Sequence, residues 1–493
     1  MASRDADVHD LHRLGYAQLL LRDMGGFGSF AMSFSIISVI TGAAGTFGYA
    51  VTHGGPFGVL AGWALASIFA LAMGASMAEI ASSIPTAGAM YHWATYIGNR
   101  AWGWFTAWMV LVGQYAITAG TEYGTAQFVA PLLGVDGTRA HLLWLTALLL
   151  LMHGLFAHFG IRLCVILNNI SAIYNMVLIL GIAGGVLLLP HAPWGELLST
   201  QHAPSNLPYG ALFMLGLLPA MWIYTGYDAS AHISEETRLP RVNAAWGIYN
   251  AIAISAVFGF LLLLALDLGI RDVSQVPVDS AMLYTLTQSF GPRGGTMVAW
   301  GVAGAMWFCC LACVVSAGRA VYGFARDRGM PGWMLWSRVS ARWRTPALAT
   351  WNAVVVGMLL VILVTAKTAD LSVFVAMAVI AIYVGYGLPV ALRLWARHRG
   401  TWRDDFDGPW SLGRCSTPIN LAAVVWVIFS CVLFSLPPNT LAGELFVGVL
   451  VVLLIAWFGL GERERFRGPR SLGTEEQLAA LEAQVEKESY WTS

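Results

Sequence analysis

Residues 221–236, MWIYTGYDASAHISEE, open apolar enough to enter a bilayer and then acquire a glycine, an aspartate, a histidine and two glutamates. A helix in hydrocarbon must satisfy its peptide groups internally, so a broken helix is tolerated only where the open backbone faces protein or a water-filled cavity. Gly226 leaves helical geometry cheaply, and Tyr227 and Asp228 after it expose free carbonyl and N–H groups. Position 226 is therefore expected to be a site or its edge.

The composition sets this stretch in a membrane. Of 493 residues 57% are hydrophobic and 11% charged, with zero formal net charge, which indicates an integral membrane protein. No basic cluster alternates with aromatics, so a nucleic-acid partner is excluded. Cys309, Cys310 and Cys313 lie in an apolar run without a partner His or acid, so helix packing is expected there and not a metal. No Walker motif or Ser/His/Asp grouping occurs, and neither an enzyme nor a cofactor is expected.

Apolar runs long enough to span a bilayer cover residues 27–51, 57–83, 101–131, 141–160, 163–190, 208–232, 243–269, 294–323, 347–366, 370–394, 418–436 and 440–461, about twelve helices. With the N-terminus inside, the outer loops hold only Arg139, Arg271, Arg293 and Lys367, and the other 23 of the 27 Lys and Arg fall on the inner side. Both termini are thus expected to be cytoplasmic. The N-terminal segment carries Arg4, Asp5, Asp7, Asp10, Arg13, Arg22 and Asp23 and lacks a signal-peptide pattern. Residues 276–291 are expected to form a short outer surface helix. The tail should form a helix capped by Thr474 and Gln477, with Leu478, Leu481 and Val485 on one face.

A second interrupted span, FSIISVITGAAGTFGYA at 34–50, lies five spans before the first. Because five is odd, two successive five-helix units enter the membrane from opposite sides, and paired glycine-interrupted spans in corresponding positions point to a midplane transporter site. Glycines in membrane helices also serve ordinary packing, and that explanation suffices for Gly45 and Gly48.

LRDMGGFGSFAMSFSIIS (21–38), MAEIASSIPTAGAMYHWA (77–94), YTGYDASAHISEETRLP (224–240) and SAGRAVYGFARDRGMP (316–331) resemble the amino acid–polyamine–organocation (APC) permeases. They are most similar to the branch with fungal GABA and choline permeases and bacterial amino acid permeases, over residues from about 20 to 460. The resemblance implies an all-α LeuT-like fold with discontinuous helices 1 and 6. Its parts are a cytoplasmic segment (1–26), a first inverted repeat (27–190), an extracellular loop (191–207), a second repeat (208–394), a cytoplasmic loop (395–417), two further spans (418–461) and a cytoplasmic tail (462–493). Ile40, Thr41 and Gly42 match the family's unwound triplet, whose N–H groups receive a substrate carboxylate, as helix N-termini suit anions. Trp222 matches an aromatic gate, the carbonyls of Trp222, Ile223, Tyr224 and Thr225 would hold the substrate ammonium, and Asp228 matches an acidic position after Gly226. Asn175 stands where proton-driven relatives often have lysine, and Ser316 offers a hydroxyl to a cation. Proton symport or exchange is therefore expected over sodium coupling.

The remaining buried polar residues divide less sharply. Glu122 either titrates with substrate or serves as a strut between helices, since an intramembrane carboxylate is functional by default. His153 and His158 have no acidic neighbour in sequence and are expected to pack or to lie at the interface and not to form a proton relay, while Glu79 matches a family position that implies pairing with inner-loop groups. Glu235, Glu236 and Arg238 either form an inner gate with basic residues such as Arg319 or make a solvated helix end.

The reading is a secondary transporter of a small amino acid or an amine such as GABA, working by alternating access as a monomer in the lipid bilayer of the plasma membrane. Arg greatly outnumbers Lys, only Lys367 and Lys487 being present, which points to a bacterial inner membrane. The rivals are a permease for choline or another organic cation, caged by Tyr115, Trp222, Tyr224, Trp307 and Tyr386, and, from another class, a channel or a transporter-like nutrient sensor.

Overall fold

A computed structural model describes residues 2–159, 161–368, 370–402, 408–469 and 473–488; parts of the 395–417 loop and of the tail lie outside them. The helices in chain order are α1 (Ala2–Arg13), α2 (Gly26–Ile37), α3 (Val39–Ala81), α4 (Met90–Ile97), α5 (Arg100–Leu132), α6 (Arg139–His158), α7 (Ile161–Leu188), α8 (Tyr209–Leu215), α9 (Leu217–Ile223), α10 (Ala229–His232), α11 (Pro240–Gly269), α12 (Ala281–Arg326), α13 (Trp333–Trp336), α14 (Ala347–Thr365), α15 (Leu371–His398), α16 (Ser416–Phe434), α17 (Thr440–Gly459), α18 (Glu462–Arg465) and α19 (Glu475–Glu488). Among the described residues the only β pairing is an isolated bridge between Met24 and Thr237. The fold is all-α, as an apolar chain without sheet closure requires in a bilayer.

Nine helical segments among the described residues are long and apolar enough to cross a membrane. The first, Gly26–Ala81, joins the first two apolar runs across a kink at Gly55, where φ is 65° and Pro56 follows. The nine omit α5, whose 33 residues include the polar stripe Gln114, Thr118, Thr121 and Thr125, and the interrupted segment Tyr209–Ile223. Each threonine of the stripe turns its hydroxyl back onto the carbonyl four residues earlier, which gives the buried hydroxyl a partner inside its own helix. The expected outer helix at 276–291 is present as the start of α12, kinked from the following span at Gly291 (φ 74°) and Pro292.

Apolar side chains face outward along α6 and α7, with Trp144, Leu148, Leu151 and Leu155 on one and Ile166, Ile170, Ile173 and Val177 on the other. Their three- and four-residue spacing makes a continuous lipid-facing stripe. Helices α5, α12 and α15 turn inward instead, α5 packing on α12 and α15 and both of these on α3.

Candidate functional site

The first break falls at Ser38, which has φ 20° and ψ 81° between α2 and α3. This corrects the expectation that Ile40, Thr41 and Gly42 are unwound: they form the first turn of α3. The chemistry survives in another form, because the first N–H groups of a helix have no partner within it. Ser38 partly fills that gap, its Oγ accepting from Thr41 N at 3.4 Å and its carbonyl from Gly42 N at 3.0 Å. The second break spans residues 224–228, between α9 and α10. Gly226 there has φ 82°, a conformation that suits glycine. No hydrogen bond among the described residues reaches the Tyr224 or Thr225 carbonyl.

The two breaks interlock through glycine on each side. A Cβ at Gly42 would lie 2.1 Å from Ile223 Cγ1, and one at Gly226 would lie 2.0 Å from Ile36 Cγ2. Each broken helix therefore fits its glycine against an isoleucine of the other. Between them is a cavity with about 10 Å³ for the centre of a water molecule, room for about one water. Thr41, Gly42, Trp222, Ile223 and Thr225 line it, as do Ile36, Ile37, Ile117 and Thr121, which the sequence reading did not single out, and Cys309, which it read as helix packing. Ile117 and Thr121 are legible afterwards as one face of α5, four residues apart. A second space of about 40 Å³, bordered by Thr46, Pro219, Asp279 and Asp370, lies further along α3, away from the N-terminal face.

Several expected site residues point elsewhere. Asp228 is fully buried and does not border the cavity, contrary to expectation: Tyr386 Oη donates to its Oδ1 at 2.6 Å, Gln114 Nε2 to its Oδ2 at 3.0 Å, and His232 Nε2 lies 3.1 Å from Oδ2. Tyr386 Oη also accepts from Gly226 N at 3.0 Å, so one hydroxyl ties the break to Asp228. Tyr224 turns to Ser67 (2.7 Å) and stacks on Trp63, and Ile40 is buried outside the lining. Of the five residues of the expected aromatic cage only Trp222 lines the cavity, since Tyr115 donates to Asn352 and Trp307 lies against His153.

Asn175 Oδ1 accepts from Ser38 Oγ at 3.1 Å, and its amide donates to the Ser171 carbonyl at 3.0 Å. It thus braces the first break from α7. Ser316 Oγ is buried without a hydrogen-bond partner among the described residues and lies outside the cavity lining. His153, expected to pack without an acidic partner, meets Glu122 across the α5–α6 contact at 2.7 Å.

The N-terminal face is closed by a buried ionic layer. Arg326 donates two bonds to Glu235 (2.9 and 2.8 Å) and Arg319 two to Glu236 (3.1 and 3.0 Å). Ala87 N reaches Glu235 at 2.9 Å, and Gln18 Nε2 donates to its carbonyl at 2.8 Å. Burial opposes ionisation of Glu235, but the Arg326 guanidinium and the Ala87 N–H outweigh it and hold the carboxyl below the usual glutamate range. Beside this layer Asp327 accepts from Tyr16 and from Tyr91 (3.0 Å) and lies 2.9 Å from His92 Nε2. Arg238 joins Asp23 at the rim (2.8 Å), and Glu79 is bound by Arg393, Leu412 N and Ser416.

The model of the family described as "Amino acid permease" matches residues 24–458. The chain is similar to "Amino-acid permease BAT1" of Arabidopsis thaliana, 32% identical over 94% of this chain and 96% of that protein. It is 31% identical to the "Amino-acid permease BAT1 homolog" of Oryza sativa subsp. japonica, over 93% of this chain and 94% of the relative. "Amino-acid permease 2" of Neurospora crassa is 26% identical, over 95% of this chain and 90% of its own length.

Proposed function

The chain belongs to the amino acid permease family, within the APC superfamily, and on that premise we propose that it carries a small amino acid, or an amino-acid-like amine such as GABA, by alternating access between its two broken helices. The observation that carries this reading is the meeting of opposite backbone ends at one cavity. The N-terminal end of α3, with Thr41 and Gly42 in the lining, approaches from one side, suited to a carboxylate, and the break at Thr225, whose carbonyl is open, from the other, suited to an ammonium. An amino acid presents both charges. A choline-like cation has no carboxylate for the N–H end, and Trp222 alone is a poor cage for it.

The cavity holds about one water in this closed form, so substrate entry requires the broken helices to separate. The Glu235–Arg326 and Glu236–Arg319 pairs then act as the gate on the N-terminal face. We take that face as cytoplasmic because 23 of the 27 Lys and Arg fall on it, with twelve crossings arranged as 27–190 and 208–394 in inverted repeats followed by two more. Support for the repeat comes from α4 and the kinked start of α12, short helices that precede the third and eighth spans, five spans apart. A plasma-membrane monomer fits this design. The relatives above come from plants and a fungus and lend no support to a bacterial inner membrane. Coupling is to protons or to a counter-substrate, since Asn175 and Ser38 satisfy each other where a lysine or a sodium ion would otherwise stand.

A thermal-shift screen of purified protein against amino acids, GABA, ethanolamine, choline and polyamines tests the assignment. A ligand at 100 times its Kd stabilises the folded state by about 2.7 kcal/mol. Stabilisation by a zwitterion, followed by saturable counterflow in liposomes, is the expected result. Stabilisation by choline alone, unitary conductance, or binding without flux would overturn it.

A further inference from the structure

We propose that Glu122 and His153 form the proton-binding site that couples transport; this rests on the carrier reading above. The pair joins α5 to α6, His153 Nδ1 lying 2.7 Å from Glu122 Oε1, with both side chains fully buried. Neither group forms an ion pair with a third charge among the described residues, and Glu122 Oε2 and His153 Nε2 have no hydrogen-bond partner. Buried polar atoms are ordinarily satisfied, so two orphaned atoms on one pair require an explanation.

Charge arithmetic supplies it. A carboxylate beside a neutral imidazole leaves one uncompensated negative charge inside the membrane, which is costly. Binding one proton, on either partner, makes the pair neutral overall without a counter-ion. Among the described residues the helices packed around the pair offer no charge to compensate it. From α12 the thiols of Cys310 and Cys313 face Glu122, α14 has no titratable side chain, and on α15 the hydroxyls of Tyr383 and Tyr386 are committed to Met221 O and Asp228. Trp307 covers His153 on its other side, with ring centroids 5.1 Å apart.

The position connects the pair to the substrate. Thr121, next to Glu122, lines the cavity between the breaks, and so does Cys309, next to Cys310. Cys309 Sγ also donates to the Ile36 carbonyl (3.3 Å), just before the first break. When the broken helices close on substrate the pair is sealed from water and holds its proton; when they part, α5 and α12 shift beside the pair, water reaches it and the proton is released.

The test uses the full chain in liposomes, an equimolar mixture of labelled amino acids and GABA, and two assays. Counterflow needs no net proton movement, whereas accumulation under an imposed pH difference does; two pH units drive up to about 100-fold accumulation at one proton per substrate. Wild type should do both, and Glu122→Gln and the double variant Glu122→Gln/His153→Gln, which leave no carboxylate to neutralise, should keep counterflow while accumulation falls to about 1-fold. Variants that still accumulate as wild type does would overturn the proposal, and variants that lose counterflow as well would make the pair a structural strut. Wild type with counterflow but no proton-driven accumulation would remove the proton site and leave the carrier reading standing. Absence of counterflow in wild type would refute the carrier reading, and the pair's role with it.

Discussion

Adding one methyl group at Gly42 tests whether the two broken helices meet as closely as the site requires. The new Cβ would lie 2.1 Å from Ile223 Cγ1, 2.9 Å from Cδ1 and 3.3 Å from Cβ, whereas carbon atoms rest at about 3.5–4.0 Å. The helices must therefore separate by more than an ångström, or Ile223 must leave its rotamer, and overpacking of this kind costs about 1–3 kcal/mol. Because Thr41 and Ile223 flank the cavity, the same displacement opens the substrate's contacts. Gly42→Ala should lower the melting temperature and weaken substrate binding by about 5- to 150-fold, the span that corresponds to that cost. Ile223→Ala removes Cγ1 and Cδ1 and leaves only the 3.3 Å contact, so it should relieve most of the clash. Alone it should cost about 2–5 kcal/mol as a cavity, but the double variant should be more stable than the sum of the single effects by more than about 0.5 kcal/mol. The assay is a double-mutant cycle read by thermal unfolding and by binding of the ligand identified in the screen. Wild-type stability and affinity in Gly42→Ala, or strict additivity in the cycle, would refute the reasoning.

Four further predictions rest on contacts around the site. Asp228→Asn places an amide donor where Tyr386, Gln114 or His232 already donates, so thermal stability should fall by about 1–3 kcal/mol while the Thr41–Trp222 lining is left in place; a lowered affinity with unchanged stability would instead mean that Asp228 touches substrate. Arg326→Gln leaves Glu235 buried beside a neutral partner and should favour opening of the N-terminal face, seen as faster labelling of a cysteine placed at Thr225 by a water-soluble thiol reagent; unchanged labelling would exclude the gate. The sign for pH follows from the depressed Glu235 carboxyl: its contribution is complete above the ordinary glutamate value of about 4.3 and is lost only as pH falls through the lower folded value, so Glu235→Gln should blunt the acid limb of the stability curve and leave the neutral range flat. Finally, replacing sodium should leave transport intact, whereas Asn175→Ala, which removes the hydrogen bond from Ser38 Oγ to α7 and leaves that hydroxyl only Thr41 Oγ1 as acceptor, should destabilise the protein by about 1 kcal/mol; abolition of transport without sodium would overturn the expectation.

What the sequence alone determined is what burial length and local backbone chemistry encode. Apolar runs long enough for a bilayer had to be helices, so helices occupy those runs, and Gly226 marked the second break because no other residue takes φ 82° there at so little cost. The pairing of Glu79 with inner-loop groups was also expected, from its match to a position of the permease family, and Leu412 N and Ser416 Oγ meet it. Tertiary structure decided what depends on partners remote in the chain. The first break sits at Ser38 instead of Thr41–Gly42 because Asn175, on α7, gives the Ser38 hydroxyl an acceptor, while the glycine at 42 is needed for close approach to Ile223. Asp228 turns from the cavity because Tyr386, 158 residues away, and Gln114, 114 residues away, converge on it. His153 has no acid near it in sequence, yet the packing of α5 on α6 brings Glu122 to its ring. A one-dimensional pattern records how a residue suits its own helix; which charge answers another across two helices is fixed only when their faces are pressed together, because in hydrocarbon an unanswered charge costs too much to be left there.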